Sequence, residues 1–239
     1  MTLALQTTID NEHSSTFELS LTKGELISRF LELADLISSN KYNYFSKMFY
    51  VIYPFNKQKS EESIELFYSK ARSVKNVNSL EELAKFQDSV FPICFEEENS
   101  DFLSYLKKNP ANCIPINMTF LNLMAESETL NKKSAQINIV NVKHFLPHLR
   151  LKIDGVLTDI TEYVNNNSSS IFRSYPSVGD TSKDAILSKN EFLSYRLCCS
   201  FQPILDSNYP NSDDNLTNIV FRYFNKSLRQ KADIILGKW

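Results

Sequence analysis

Leu149-Arg150-Leu151-Lys152-Ile153-Asp154-Gly155-Val156-Leu157-Thr158-Asp159-Ile160 is the stretch that decides how the second half of this chain folds. Alternating apolar residues flank an Asp-Gly pair. Asp-Gly suits a type I′ turn, which needs positive φ at both central positions and joins antiparallel strands. In that register Ile153 faces Val156, Leu151 faces Thr158 and Leu149 faces Ile160. Arg150 then falls opposite Asp159 as an opposite-charge cross-strand pair. One long helix over 146–164, with Pro147 in its first turn, is the competing reading, because Leu146, Leu149, Ile153, Val156 and Ile160 also keep helical spacing. Gly155 favours the hairpin: glycine inside a helix costs about 1 kcal/mol relative to alanine. The two readings give opposite signs for Gly155→Ala, destabilising at positive φ and stabilising in a helix.

Upstream of the hairpin, residues 116–124 and 136–142 alternate and read as strands, with a polar loop over 126–134 between them. Downstream, 165–170 is a low-complexity Asn/Ser tract and 175–184 a second loop. Residues 192–201 read as a strand, 208–214 as a turn cluster, and 216–236 as a closing amphipathic helix. The first half is more helical. A polar tail over 1–15 precedes an alternating stretch, 17–21. Thr22-Lys23-Gly24-Glu25 and Ser79-Leu80-Glu81-Glu82 are capping boxes, a hydroxyl followed three residues later by Glu. They open helices over 22–38 and 79–91. Further helices are expected over 60–74 and 100–108, with Glu96, Glu97 and Glu98 as a solvated loop or an acidic first turn. Residues 48–53 are rich in β-favouring side chains and read as a buried strand ended by Pro54, and Pro110 and Pro115 bracket a loop. The class is α+β: an antiparallel or mixed sheet with several packed helices, a strand-rich second half and a C-terminal amphipathic helix. One domain over 16–239 follows the tail.

With 239 residues, 42% of them hydrophobic, the chain can bury a core without staples. A net charge of −2 gives no general attraction to a polyanion. Glycine occurs only four times, against about 17 at average usage. No GxGxxG or GxxxxGK[ST] loop can be built from four isolated glycines, which argues against a dinucleotide fingerprint or a P-loop. GxSxG and HExxH are also absent. The first ten residues lack the cationic and apolar regions of a leader, and no stretch is apolar enough to span a membrane, so a cytoplasmic chain is expected. Cys94, Cys113, Cys198 and Cys199 form no CxxC pair and read as reduced, mostly buried thiols.

Four features could carry chemistry. His144 and His148 are the close imidazole pair, but Pro147 between them spoils a shared helical face, so both read as structural and neither a metal nor a cofactor is expected. Cys94 with His144 or His148 and an acid could form a thiol hydrolase, although no local signature supports it. Tyr42, Tyr44, Phe49, Tyr50 and Tyr53 lie in an aromatic-rich stretch that could face a partner or line a pocket, or simply fill the core. Arg222, Lys226, Arg229 and Lys231 in the last helix could track phosphates, or merely complement the helix dipole. On these grounds the leading expectation is a non-catalytic interaction or accessory protein that meets another protein through its aromatics. An enzyme on a small, largely apolar molecule, using Tyr and carboxylate groups, is the alternative. A nucleic-acid-processing protein with a local basic surface is the third.

Overall fold

Side-chain caps start the helices where the sequence places them. The computed structural model describes residues 22–91, 93–96, 99–140, 148–161 and 184–208. Helix α1 (Lys23–Ser38) opens on a complete capping box: Thr22 Oγ1 accepts from the Glu25 amide at 3.3 Å, and the Glu25 carboxylate accepts from the Thr22 amide at 2.7 Å. Helix α3 (Lys57–Ala71) starts at Asn56 and runs on into a 3₁₀ turn, Arg72–Asn76. Helix α4 (Leu80–Val90) starts at Ser79, whose hydroxyl accepts from the Glu82 amide. Here the returning Glu82 carboxylate takes the Asn78 amide, one residue before the cap. Helix α5 (Phe102–Leu106) is a short turn capped by Asp101.

Three expected strands are helices. Residues 48–53 belong to α2 (Tyr44–Ile52), capped by the Asn43 side chain on the Ser46 amide at 2.9 Å. Met48, Phe49 and Val51 are fully buried, so burial on more than one side overrides their β preference. Lys47 is carried into the interior as well. Its ammonium donates to the Ile37 and Ser39 carbonyls at the end of α1, where a helix leaves carbonyls unpaired. Residues 116–124 belong to α6 (Cys113–Glu126), in which every residue from Pro115 to Met124 is buried. A helix that is apolar all round shows no 3.6-residue stripe, and chance alternation then mimics a strand. Pro115 is its third residue. It therefore belongs to the helix rather than to a bracketed loop, in a first turn where a missing N–H costs nothing. Residues 192–201 belong to α7 (Lys189–Asn208). Its start is a capping box, Ser188 with Glu191, at 3.3 and 2.7 Å. Leu193, Leu197 and Phe201 follow at four-residue spacing and are all buried.

The sheet has the order β3-β2-β1-β4 and is antiparallel throughout. Its strands are β1 (Ala135–Val140), β2 (His148–Ile153), β3 (Val156–Thr158) and β4 (Asp184–Leu187). β1 lies inside, with Ile137 opposite both Leu151 and Leu187. Helix α6 packs on β2 and on α4, while α7 lies against α1 and α2 and reaches β1. The core runs unbroken from these helices to Ile137, Leu149, Leu151 and Ile153 on the sheet. The expected α+β class, strand-rich in its second half, is the one observed. The tail, residues 17–21, the Asn/Ser tract, the loop up to 183 and the helix expected over 216–236 lie outside the described residues.

The hairpin forms in the expected frame: Ile153 pairs with Val156 and Leu151 with Thr158. Asp154 has φ of 48° and Gly155 of 85°, the two positive values of a type I′ turn. Asp154 also anchors the turn to the chain before β1. Its carboxylate accepts from the Ser134 amide at 2.9 Å and meets Lys133 Nζ at 2.7 Å. A Cβ on Gly155 would touch nothing within 4 Å, so the cost of Gly155→Ala is backbone strain alone. The substitution should lower stability by about 1–2 kcal/mol, read as a lower denaturant midpoint at unchanged slope; a raised midpoint would contradict the turn.

Candidate active site

Cys113 is the first residue of α6, and the chain leading to it is pinned on several sides. The Asn112 side chain caps the helix on the Ile114 amide at 3.0 Å, the second position, since Pro115 offers no amide at the third. The Asn112 amide donates to Asn99 O at 2.7 Å. Ala111 is bridged to the segment 93–96: its amide donates to Cys94 O at 2.9 Å and its carbonyl accepts from Glu96 N at 3.0 Å. Cys113 itself is 6% exposed. It stands where amide N–H groups point out of the helix and the helix dipole is positive.

His148 is the first residue of β2, and Asp159 follows the last residue of β3. The hairpin therefore brings them to the same end of the sheet. His148 Nε2 bonds Asp159 Oδ2. The other carboxylate oxygen, Oδ1, accepts from Thr161 Oγ1 at 2.6 Å, the Thr161 amide at 3.0 Å and Asn117 Nδ2 at 3.4 Å. One oxygen is thus anchored and the other is aimed at the imidazole. Cys113 lies beside His148, and its Sγ accepts from the Leu149 amide at 3.4 Å. With Nε2 committed to Asp159, Nδ1 is the ring nitrogen left for another partner. A thiol, an imidazole and a carboxylate stand in sequence, the carboxylate 3% exposed and the imidazole 31%.

This arrangement corrects the expected end of the hairpin. The β2–β3 ladder stops at Leu151–Thr158, so Leu149–Ile160 and Arg150–Asp159 are not strand pairs. Arg150 turns to β1, where its Nε donates to Asn138 Oδ1 at 2.6 Å, while Asp159 serves His148.

The electrostatics follow from the geometry. Burial pulls the His148 imidazole down, but hydrogen bonds to Asp159 and Cys113, and the charges on both, overcome it and push it up to about 10 from an ordinary 6.5. Burial raises the Asp159 carboxyl, and the His148 hydrogen bond and charge, helped by Thr161 and Asn117, hold it below the usual carboxylate range. At neutral pH the ring is an imidazolium beside the Asp159 carboxylate.

Of the residues singled out from sequence, His148 is in this cluster. His144 lies outside the described residues. Cys94 is exposed, and the thiol that meets His148 is Cys113 instead. Cys94 and Cys113 are free thiols. Of the aromatics, Phe49 is fully buried and stacks near Tyr53, whose hydroxyl bonds Asp101 and the Leu103 amide. Tyr44 lies beneath Lys189, with Nζ 5.7 Å from the ring centre. Tyr42 and Tyr50 form a half-exposed edge-to-face pair at 5.8 Å. Among the described residues no group of three His, Cys, Asp or Glu could hold a metal ion, and no helix is long and apolar enough to cross a membrane. Comparison with known proteins finds no family model, no curated protein and no solved structure that matches this chain.

The ion pair makes stability depend on pH in a definite direction. The folded-state value of His148 lies above its unfolded one, so its contribution is complete below about 6.5 and is lost as pH rises through about 10. Asp159 is held low, so its contribution is present above 3.8 and is lost as pH falls through the depressed value. The difference in denaturant midpoint between wild type and Asp159→Asn should therefore be largest between 3.8 and 6.5 and shrink toward pH 10. A difference independent of pH would contradict the pairing.

Proposed function

We propose that this chain is a thiol-dependent acyl-transfer enzyme, cleaving or transferring at an amide or ester carbonyl. Cys113 is the nucleophile, His148 carries the proton and Asp159 fixes the ring. The observation that supports this is the single imidazole held between a carboxylate and a thiol at the head of a buried helix. Such a constellation is recognised by geometry and roles rather than by sequence order, and it recurs on unrelated folds. Burying an ionisable trio costs free energy unless the groups satisfy one another, and here they do so in the arrangement that nucleophilic catalysis requires.

The chemistry runs in two halves. The Cys113 proton resides on His148, and the thiolate attacks the carbonyl carbon, forming the S–C bond. The Cys113 amide heads α6 with no acceptor inside the helix, and can donate to the oxygen that gains charge. His148 passes its proton to the departing amine or alcohol as the C–N or C–O bond breaks. In the second half, water or another acceptor gives its proton to His148 and attacks the thioester carbonyl as the S–C bond breaks, returning the thiolate–imidazolium pair. A cytoplasmic setting, where thiols stay reduced, suits such a nucleophile. A binding role through Tyr42 and Tyr50 stands as the second reading, on the half-exposed pair that they form.

p-Nitrophenyl acetate, a generic activated ester, tests the proposal. Wild type should release p-nitrophenol in a burst and carry one acetyl group on Cys113, located by peptide mass spectrometry. Cys113→Ala should abolish the burst, and His148→Ala should slow acetylation by about 10²–10⁴-fold. Acetylation on Cys94 alone, or a rate indifferent to His148→Ala, would refute it.

A further inference from the structure

The type I′ hairpin sets which pairs of residues exchange hydrogen bonds. Ile153–Val156 closes the turn, Leu151–Thr158 is the next hydrogen-bonded pair two residues on, and Leu149–Ile160 would be the third. In an unbroken ladder Leu149 O would accept from the Ile160 amide, and the Leu149 amide would donate to Ile160 O. Three of these four groups find other partners where the ladder stops. Leu149 O accepts from Asn117 Nδ2 at 3.1 Å, and the Ile160 amide donates to Asn117 Oδ1 at 3.2 Å. The Leu149 amide donates to Cys113 Sγ at 3.4 Å. The carboxamide of Asn117 thus stands between the strands where one rung would be. It presents a donor to one side and an acceptor to the other, as a peptide group would.

Asn117 is fully buried and sits one helical turn after Cys113, to whose carbonyl it also donates at 3.0 Å. Its remaining contact is to Asp159 Oδ1 at 3.4 Å. One side chain therefore touches the helix that carries the thiol, the strand that carries the imidazole and the turn that carries the carboxylate. A shape-filling residue would need none of these bonds. A mere satisfier of α6 would need only the Cys113 carbonyl.

We propose that Asn117 is the positioning residue of this site: its side-chain amide replaces the Leu149–Ile160 rung, parts β3 from β2, and so sets Asp159 on His148 and Cys113 beside it. The proposal rests on the reading of Cys113 and His148 as the reacting pair. Without the amide, Leu149 and Ile160 can close the rung directly. Closure draws Asp159 toward the place opposite Arg150 and away from the imidazole. Among the described residues, the titratable groups that face His148 are Asp159, from the turn after β3, and Cys113, from α6. Loss of Asp159 leaves the imidazolium less stabilised, and the thiolate beside it with it.

Alkylation of the full chain by iodoacetamide, resolved by peptide, tests this across a pH series. Exposed Cys94 serves as the reference thiol in the same molecule. Asn117→Ala should slow Cys113 alkylation severalfold below neutral pH and move the rising limb of its profile to higher pH, with Cys94 unchanged. In a His148→Ala background the same substitution should have no further effect on that profile. Should Asn117→Ala not fold, Asn117→Ser, which keeps a hydroxyl for one partner, carries the comparison. A lower thermal midpoint with the Cys113 profile unmoved would make Asn117 structural only and overturn the proposal. So would a shift that persists without His148. A wild-type Cys113 profile identical to that of His148→Ala would instead overturn the pairing of Cys113 with His148, and this proposal with it.

Discussion

The open edge of β2 at Leu149, met by the head of α6, is the contact on which the rest of the structure depends. A strand edge buried against a helix would leave peptide groups without partners, each costing roughly 1–3 kcal/mol. A helix start buried in the core raises the same problem for its first amides. Here α6 supplies what the strand lacks, and Asn112 caps the helix start. The Leu149 peptide finds Cys113 Sγ and Asn117 Nδ2, and the Ile160 amide finds Asn117 Oδ1. Once this junction is fixed, α6 is held across the sheet, the hairpin has to stop at Thr158, and the three ionisable groups come together at one place.

The surroundings make the junction rigid. Asn112 and Ala111 are bonded to chain segments far from them in sequence, so Cys113 cannot slide along its helix axis. Gln87, fully buried on α4, donates to Tyr105 Oη at 2.8 Å and to Ile116 O at 3.0 Å, tying the first turn of α6 to two further helices. On the far side, Asp154 clamps the hairpin turn to Ser134. The sulfur, the ring and the carboxylate are supported by elements whose own polar groups are largely spoken for, and a preorganised site needs that condition.

Much of the fold is legible in local chemistry, and the failures have a common cause. Thr22 with Glu25 and Ser79 open helices as their spacing says. Ser188 and Glu191 stand at the same spacing before α7, and attention to the cap rather than to the aromatic run after it would have marked a helix. Asn43 before α2 is a similar signal. Periodicity fails in α6 because that helix is enclosed, and an enclosed element has no exposed face to reveal its period, whereas in α2 the β-favouring residues Phe49, Tyr50 and Val51 mask a short helical stripe. The site is harder still. His148 and Asp159 share a hairpin and so are near neighbours by topology, but nothing in the residues around Cys113 distinguishes it from Cys94. What distinguishes it is tertiary: its helix is the one that β2 receives. Asn117 carries no local mark either, being one buried amide in an apolar stretch. Its meaning appears only once the missing rung of the ladder is counted.

The order of these groups along the chain matters during synthesis. Cys113 leaves the ribosome before His148 and Asp159 exist outside it. The segment that carries the nucleophile can become helical at that stage, but its sulfur has no imidazole to hold its proton and no strand amide beside it. Translation proceeds from the N-terminus at about 5–20 residues per second, so an interval of seconds separates the thiol from its partners. Over that interval the nascent chain carries an ordinary cysteine. On the proposed function, reactivity arrives with the closing hairpin, whose strands emerge before β4 completes the sheet.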